Sequence, residues 1–228
     1  GLHHTGKSNL KVVELIKFEI FSDPICPWCF IGKTWFDRAR EAYPEQEFNI
    51  EWKPFQLNPK MPQLGMKRSD YLDKKFGGRQ QAIDAYRPIV KTTMEQNIKI
   101  NFESIKRTPN TLDAHRLIHW SQFEGIQDKM VSGLFRAYFQ DGVDIGKKES
   151  LIEISSASGL NEKLTSRLLS SDQDKKLVAD LDHNARKIGI SGVPMFIIDG
   201  TYAISGAQKV EFWKKVFLEI EQNLSPNL

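Results

Sequence analysis

Cysteine is all but absent from this sequence: Cys26 and Cys29 are the only two in 228 residues. That excludes a disulfide framework as the source of stability, and a chain of this length with 40% hydrophobic residues buries a core without one. No apolar run approaches the ~20 residues of a membrane-spanning helix. The opening segment has neither the apolar core nor the small-residue cleavage site of a secretory signal. Thirty-two basic against 29 acidic residues leave a formal charge of +3, without the block of like charges that would draw nucleic acid or anionic lipid. Internal repeats and low-complexity tracts are also missing. These absences predict a soluble, cytoplasmic protein with no nucleic-acid or membrane partner. Residues 1–11, with His3 and His4, read as a tail or remnant outside the fold.

Strand patterns are present, but only toward the two ends. "VELIKFEIFSD" alternates Ile16, Phe18 and Ile20 against Leu15, Lys17 and Glu19, and "FNIEWKPF" repeats the pattern with Phe48, Ile50 and Trp52. Between them Phe30, Trp35, Phe36 and Ala39 recur at helical spacing, which makes a β-α-β unit with a parallel crossover. "VPMFIIDGTYAISG" is two short apolar runs about Asp199-Gly200, a hairpin signal, and a final amphipathic helix is expected over Ala207 to Gln222.

The middle, residues 62–187, is helical in pattern. Asn110 is the expected N-cap of "TLDAHRLIHWSQF", Gly189 the stop after "DQDKKLVADLDHNARKI", and Pro88 an interruption of one helix. Connections inside a compact domain run ~4 to 6 residues. The organisation expected is therefore one domain from residues 12–61 and 188–228, with an inserted all-helical domain at 62–187.

The two cysteines sit in "SDPICPWCFIG", one helical turn apart. Pro24 and Pro27 bracket a strand-to-helix junction, which puts Cys26 at or just before the helix N-terminus, facing unpaired backbone N–H groups. Cysteines in such positions titrate anywhere from ~3.5 to 7.5 instead of ~8.5, and the thiolate is the form that attacks disulfides. Cys26 is thus the expected nucleophile and Cys29 the thiol that resolves a mixed disulfide. Two readings compete: incidental buried thiols, and a Cys2His2 zinc site with His115 and His119, which are spaced i, i+4. The gap from Cys29 to His115 is far outside zinc-finger spacing, so no metal is expected and both histidines are assigned to packing or surface.

With "SDPICPWCFIGK", "NTLDAHRLIHW", "LFRAYFQDGVDIGKKESL" and "SGVPMFIIDG" in view, the chain resembles the thioredoxin fold as elaborated in the DsbA family. More narrowly it is similar to the FrnE-like dithiol oxidoreductases, relatives of the 2-hydroxychromene-2-carboxylate isomerases and kappa-class glutathione transferases. The resemblance implies an α/β, thioredoxin-like fold with a large helical insertion, and a thiol-disulfide oxidoreductase that needs no metal or prosthetic group. It also implies that Val193-Pro194 is a cis-proline loop beside the cysteines, where the Val193 backbone pairs with an extended substrate segment. Pro27 and Trp28, between the cysteines, are the remaining substrate-binding candidates. The expected partners are a disulfide- or thiol-containing protein or small molecule and a dithiol or glutathione redox partner, with glutathione as the candidate co-substrate. The alternative is a glutathione-dependent isomerase or transferase on the same fold; those relatives typically carry Ser where this chain has Cys26.

Asp23 is expected to cap the turn or helix, with a proton-relay role as the alternative. Trp35, Trp52 and Phe55 are assigned to the core, Arg116 and His115 to a cleft wall in the helical part, and His183 to a solvated face.

Overall fold

The computed structural model describes residues 15–224. Residues 1–14, including the expected tail with His3 and His4, and residues 225–228 lie outside that range.

The alternation in the first apolar run becomes strand β1 (Ile16–Ser22), whose Ile16, Phe18 and Ile20 are buried while Leu15 and Lys17 are exposed. It pairs in parallel with β2 (Phe48–Pro54), setting Phe18 opposite Ile50 and Ile20 opposite Trp52. The crossover between them is helix α1 (Pro27–Glu41), which turns Cys29, Gly32, Trp35, Phe36 and Ala39 inward and ends with Arg38 and Arg40 near its negative dipole end. On the other side of β1 lies β5 (Met195–Ile198), antiparallel, followed by β6 (Tyr202–Ser205); the sheet order is β2-β1-β5-β6. Asp199 (φ 51°), Gly200 (φ 69°) and Thr201 join β5 to β6; the first two have the left-handed backbone of a primed turn, closed by the Thr201 amide on the Ile198 carbonyl at 3.1 Å.

Helix α9 (Val210–Leu224) closes the sheet; it starts three residues later than the expected Ala207 and ends two later than Gln222. Its Trp213 and Phe217 are fully buried against Phe18, Phe36 and Phe48, with ring centroids 5.0 to 6.2 Å apart. This aromatic cluster is the centre of the core under the sheet, and Trp35, Trp52 and Phe55 are buried as expected.

Between β2 and β5 the chain forms α2 (Arg68–Phe76), α3 (Arg79–Glu95), α4 (Leu112–Ser121), α5 (Gln127–Phe139), α6 (Lys148–Ser158), α7 (Glu162–Leu169) and α8 (Lys175–Lys187). Helix α8 ends where expected, with Gly189 at φ 98°. Three details differ from the sequence reading. Strand is not confined to the ends: Met66–Lys67 (β3) pairs antiparallel with Arg107–Thr108 (β4), two residues each, too short for any alternation to register. Pro88 does not interrupt α3, because Ala82 before it and Ile89 and Thr93 after it are buried and hold both halves of one continuous helix; packing offsets the ~3 kcal/mol cost of an interior proline. Asn110 is not the N-cap of α4: Thr111 holds that position, and the Asn110 side chain accepts instead from the Leu112 amide, 2.9 Å away, in a turn just outside the helix.

Candidate active site

Cys26 is the N-cap of α1 (φ −86°, ψ 115°), with Pro27 at the first helical position. Its amide donates to the Asp23 carbonyl at 2.9 Å, closing the turn that ends β1. Its sulfur accepts from the Cys29 amide at 3.3 Å, taking the cap position that a Ser or Asp oxygen fills elsewhere. Across 167 residues of sequence, the same sulfur lies 3.8 Å from the carbonyl oxygen of Val193, toward which its S–H points. The Val193-Pro194 peptide is cis, as the resemblance implied, and Pro194 is buried.

Both thiols are free. Cys29, one turn along, is 1% exposed, and burial pushes its thiol well above the ordinary value of 9.0. The neighbouring Cys26 adds to that rise, while the Asp23 backbone and the Ser22 hydroxyl oppose it. Pro27 and Trp28 are half-buried between the two, and Trp28 packs on the cluster of Ile31, Trp35, Ile89 and Ile98. Cys26 is itself only 5% exposed, so both sulfurs are buried, with the first at the strand-to-helix junction and the second one turn behind it, the order a two-step exchange requires.

Two supporting features are not evident in the sequence pattern. Gly32 packs α1 against the proline loop: a Cβ there would lie 3.1 Å from Pro194 Cγ and 3.4 Å from Ala207. A lone glycine inside an otherwise regular helix is the signal that could have found it. The second is a buried polar knot. Asp23 is fully buried, and its carboxylate accepts from the Leu57 amide at 2.8 Å and lies 3.2 Å from His115 Nε2. Contrary to the sequence reading, the Asp23 side chain caps neither the turn nor α1; it ties the turn before Cys26 to Leu57, in the segment after β2, and to α4.

Arg116 does not line a cleft. It is 0% exposed, and its guanidinium donates to the carbonyls of Leu168, Ser171 and Gln173 and to the Asp113 carboxylate, closing the α7–α8 connection. His115 is likewise 2% exposed, held on Asp23; it and His119 border a small cavity of about 220 Å³ with Trp52, Pro54 and Leu181. Among the described residues no three metal-ligating side chains converge.

A mixed four-stranded sheet, a cysteine pair at the start of its first helix and a cis-proline opposite define a thioredoxin-like α/β protein with a helical insertion. The sequence profile of the DSBA-like thioredoxin domain matches residues 17–217, and the chain belongs to that family. It is 27% identical over 204 residues to the uncharacterized protein YwbO of Bacillus subtilis, covering 88% of this chain and 96% of the relative. The crystal structure of a probable DsbA oxidoreductase from Streptomyces coelicolor superposes with a TM-score of 0.80 at 25% identity, over 93% of both chains. The cytosolic disulfide reductase DsbM of Pseudomonas aeruginosa, solved with glutathione, shares the fold at a TM-score of 0.63 and 14% identity, over 91% of this chain and 99% of that one. Family membership places the protein among the DsbA-like thioredoxin-fold proteins, the DsbA-like thiol oxidoreductase family.

Proposed function

We propose that the protein catalyses thiol-disulfide exchange through Cys26 as the attacking and Cys29 as the resolving thiol. The observation that supports this most is the position of the Cys26 sulfur, at the helix start with the Cys29 amide on one side and the Val193 carbonyl on the other. The anionic sulfur of Cys26 attacks one sulfur of a substrate disulfide, and the other sulfur leaves as a thiolate that takes up a proton. The Cys29 thiol then gives up its proton and attacks Cys26. The mixed disulfide breaks, the second substrate sulfur leaves, and the Cys26–Cys29 disulfide remains. A dithiol protein or two glutathione molecules return the pair to the reduced state. The reverse sequence oxidises a substrate dithiol.

Val193 and Pro194 would orient an extended substrate beside Cys26, with the Val193 carbonyl as an acceptor for its backbone, and Pro27 and Trp28 would contact it from α1. The reading needs no metal or prosthetic group, and glutathione as co-substrate is supported by the DsbM neighbour solved with it. A cytoplasmic setting is supported by the cytosolic designation of that neighbour. No helix among the described residues is long and apolar enough to cross a membrane. Within the family, the FrnE-like branch fits the motifs about Cys26 and His115.

The test is turnover of a model protein disulfide, such as insulin, with glutathione as reductant. Cys26→Ser is expected to abolish it, and Cys29→Ser to leave single-turnover attack while stopping release. Full turnover by Cys26→Ser would overturn the reading.

A further inference from the structure

Helix α2 contains no buried residue, although it is nine residues long. It hangs between the short strand β3 and the pair Gly77-Gly78, whose φ values of 85° and 142° lie in backbone regions that suit glycine. Beneath it is a cavity of about 630 Å³, within the ~300–1,000 Å³ of ordinary small-molecule sites. None of Cys26, Cys29, Val193 and Pro194 lines it, so it is separate from the exchange site.

The floor is apolar. Leu72 of α2, Ile83 and Val90 of α3, and the rings of Tyr86 and Phe102 face the space. The floor is also fixed: Tyr86 meets Phe102 edge-on at 5.3 Å, and Phe102 meets Phe139 edge-on at 6.4 Å. The mouth is basic, with Lys67, Arg68, Arg79 and Lys106 against only Asp73 and Glu103. Arg68 stands where the two surfaces join, its guanidinium 5.3 Å from the Tyr86 ring centroid and 5.6 Å from that of Phe102. Its backbone is anchored separately, through the Arg68 amide on the Lys106 carbonyl at 2.9 Å. A half-buried guanidinium with no carboxylate partner among the described residues, lying on two rings at the edge of an apolar cavity, suits a ligand with an oxyanion at one end and a hydrocarbon body at the other.

We propose that this cavity binds a small amphipathic organic anion, a medium-length aliphatic or aromatic carboxylate, with its oxyanion on Arg68 and its apolar body on Ile83, Tyr86 and Phe102 under α2. Ligand contact supplies the apolar burial that α2 lacks, so binding orders the helix.

The test uses decanoate below its micellar concentration, titrated calorimetrically into the full-length reduced protein. One saturable site is expected, with slower amide hydrogen exchange across Arg68–Phe76. Arg68→Ala should weaken binding on the order of tenfold, the cost of one lost charge-assisted contact. Ile83→Glu, at a 46% exposed position where folding tolerates the change, should abolish it by placing a carboxylate against the apolar body. Insulin reduction by each variant reports an intact fold. Absence of a saturable site, equal affinity for decylammonium, or undiminished binding by Ile83→Glu would each overturn the proposal.

Discussion

His115 Nε2 lies 3.2 Å from Asp23 Oδ1, with both side chains sealed from solvent and 92 residues apart in sequence. Asp23 is the residue whose backbone carbonyl receives the Cys26 amide and whose backbone reaches the Cys29 sulfur. The pair therefore fixes the turn on which both cysteines are hung, through a contact between the helical insertion and the sheet.

His115→Leu removes the ring and leaves one carboxylate oxygen buried without its partner, which costs about 1–3 kcal/mol. Urea unfolding of the reduced protein is expected to show that loss. His115→Gln, which can place an amide N–H on Asp23, should recover much of it. Equal stability of the Leu variant and wild type would show that the contact contributes nothing.

Burial raises the Cys29 thiol above its ordinary value of 9.0, and this has a consequence for alkaline stability. The folded thiol keeps its proton where the unfolded one has lost it. The resulting stability is complete below about pH 9 and is lost at about 1.4 kcal/mol per pH unit as the pH climbs toward the folded-state value. Reduced wild type should thus lose stability faster than Cys29→Ser between about pH 9 and 10.5 in urea titrations. Tyr86 and Tyr138, also pushed up by burial, act equally in both proteins and cancel in the comparison. Parallel curves for the two proteins would contradict the assignment.

At Gly32 the added methyl of an alanine meets Pro194 Cγ at 3.1 Å, closer than relaxed carbon atoms sit. Gly32→Ala is expected to displace the proline loop, cost about 1–3 kcal/mol by overpacking, and slow exchange at Cys26. Stopped-flow reduction of a glutathionylated peptide reads the rate. A variant with wild-type rate and stability would mean that the loop yields freely.

Much of this was legible in the residue order. The alternation of Ile16, Phe18 and Ile20, the Asp199-Gly200 turn and the proline-bracketed cysteines are local signals, and each yields the element it implies. What was illegible depends on contacts between distant segments. Nothing near Asp23 announces that its carboxylate is taken by Leu57 and His115 and not by the helix beside it. Arg116 reads as a cleft cation because charged residues are rarely buried. The carbonyls of Leu168, Ser171 and Gln173 converge on its guanidinium and reverse that rule, and they come together only once α7 and α8 are folded. Pro88 reads as a break until the buried positions on both sides of it are known to pack.

The most direct measurement of the central claim is a trap. Cys29→Ser protein, reduced and mixed with a disulfide substrate, is quenched with acid and mapped by peptide mass spectrometry. A stable mixed disulfide on Cys26 is predicted, released only by added thiol. Recovery of Cys26 unmodified under conditions where the substrate is consumed would contradict the account.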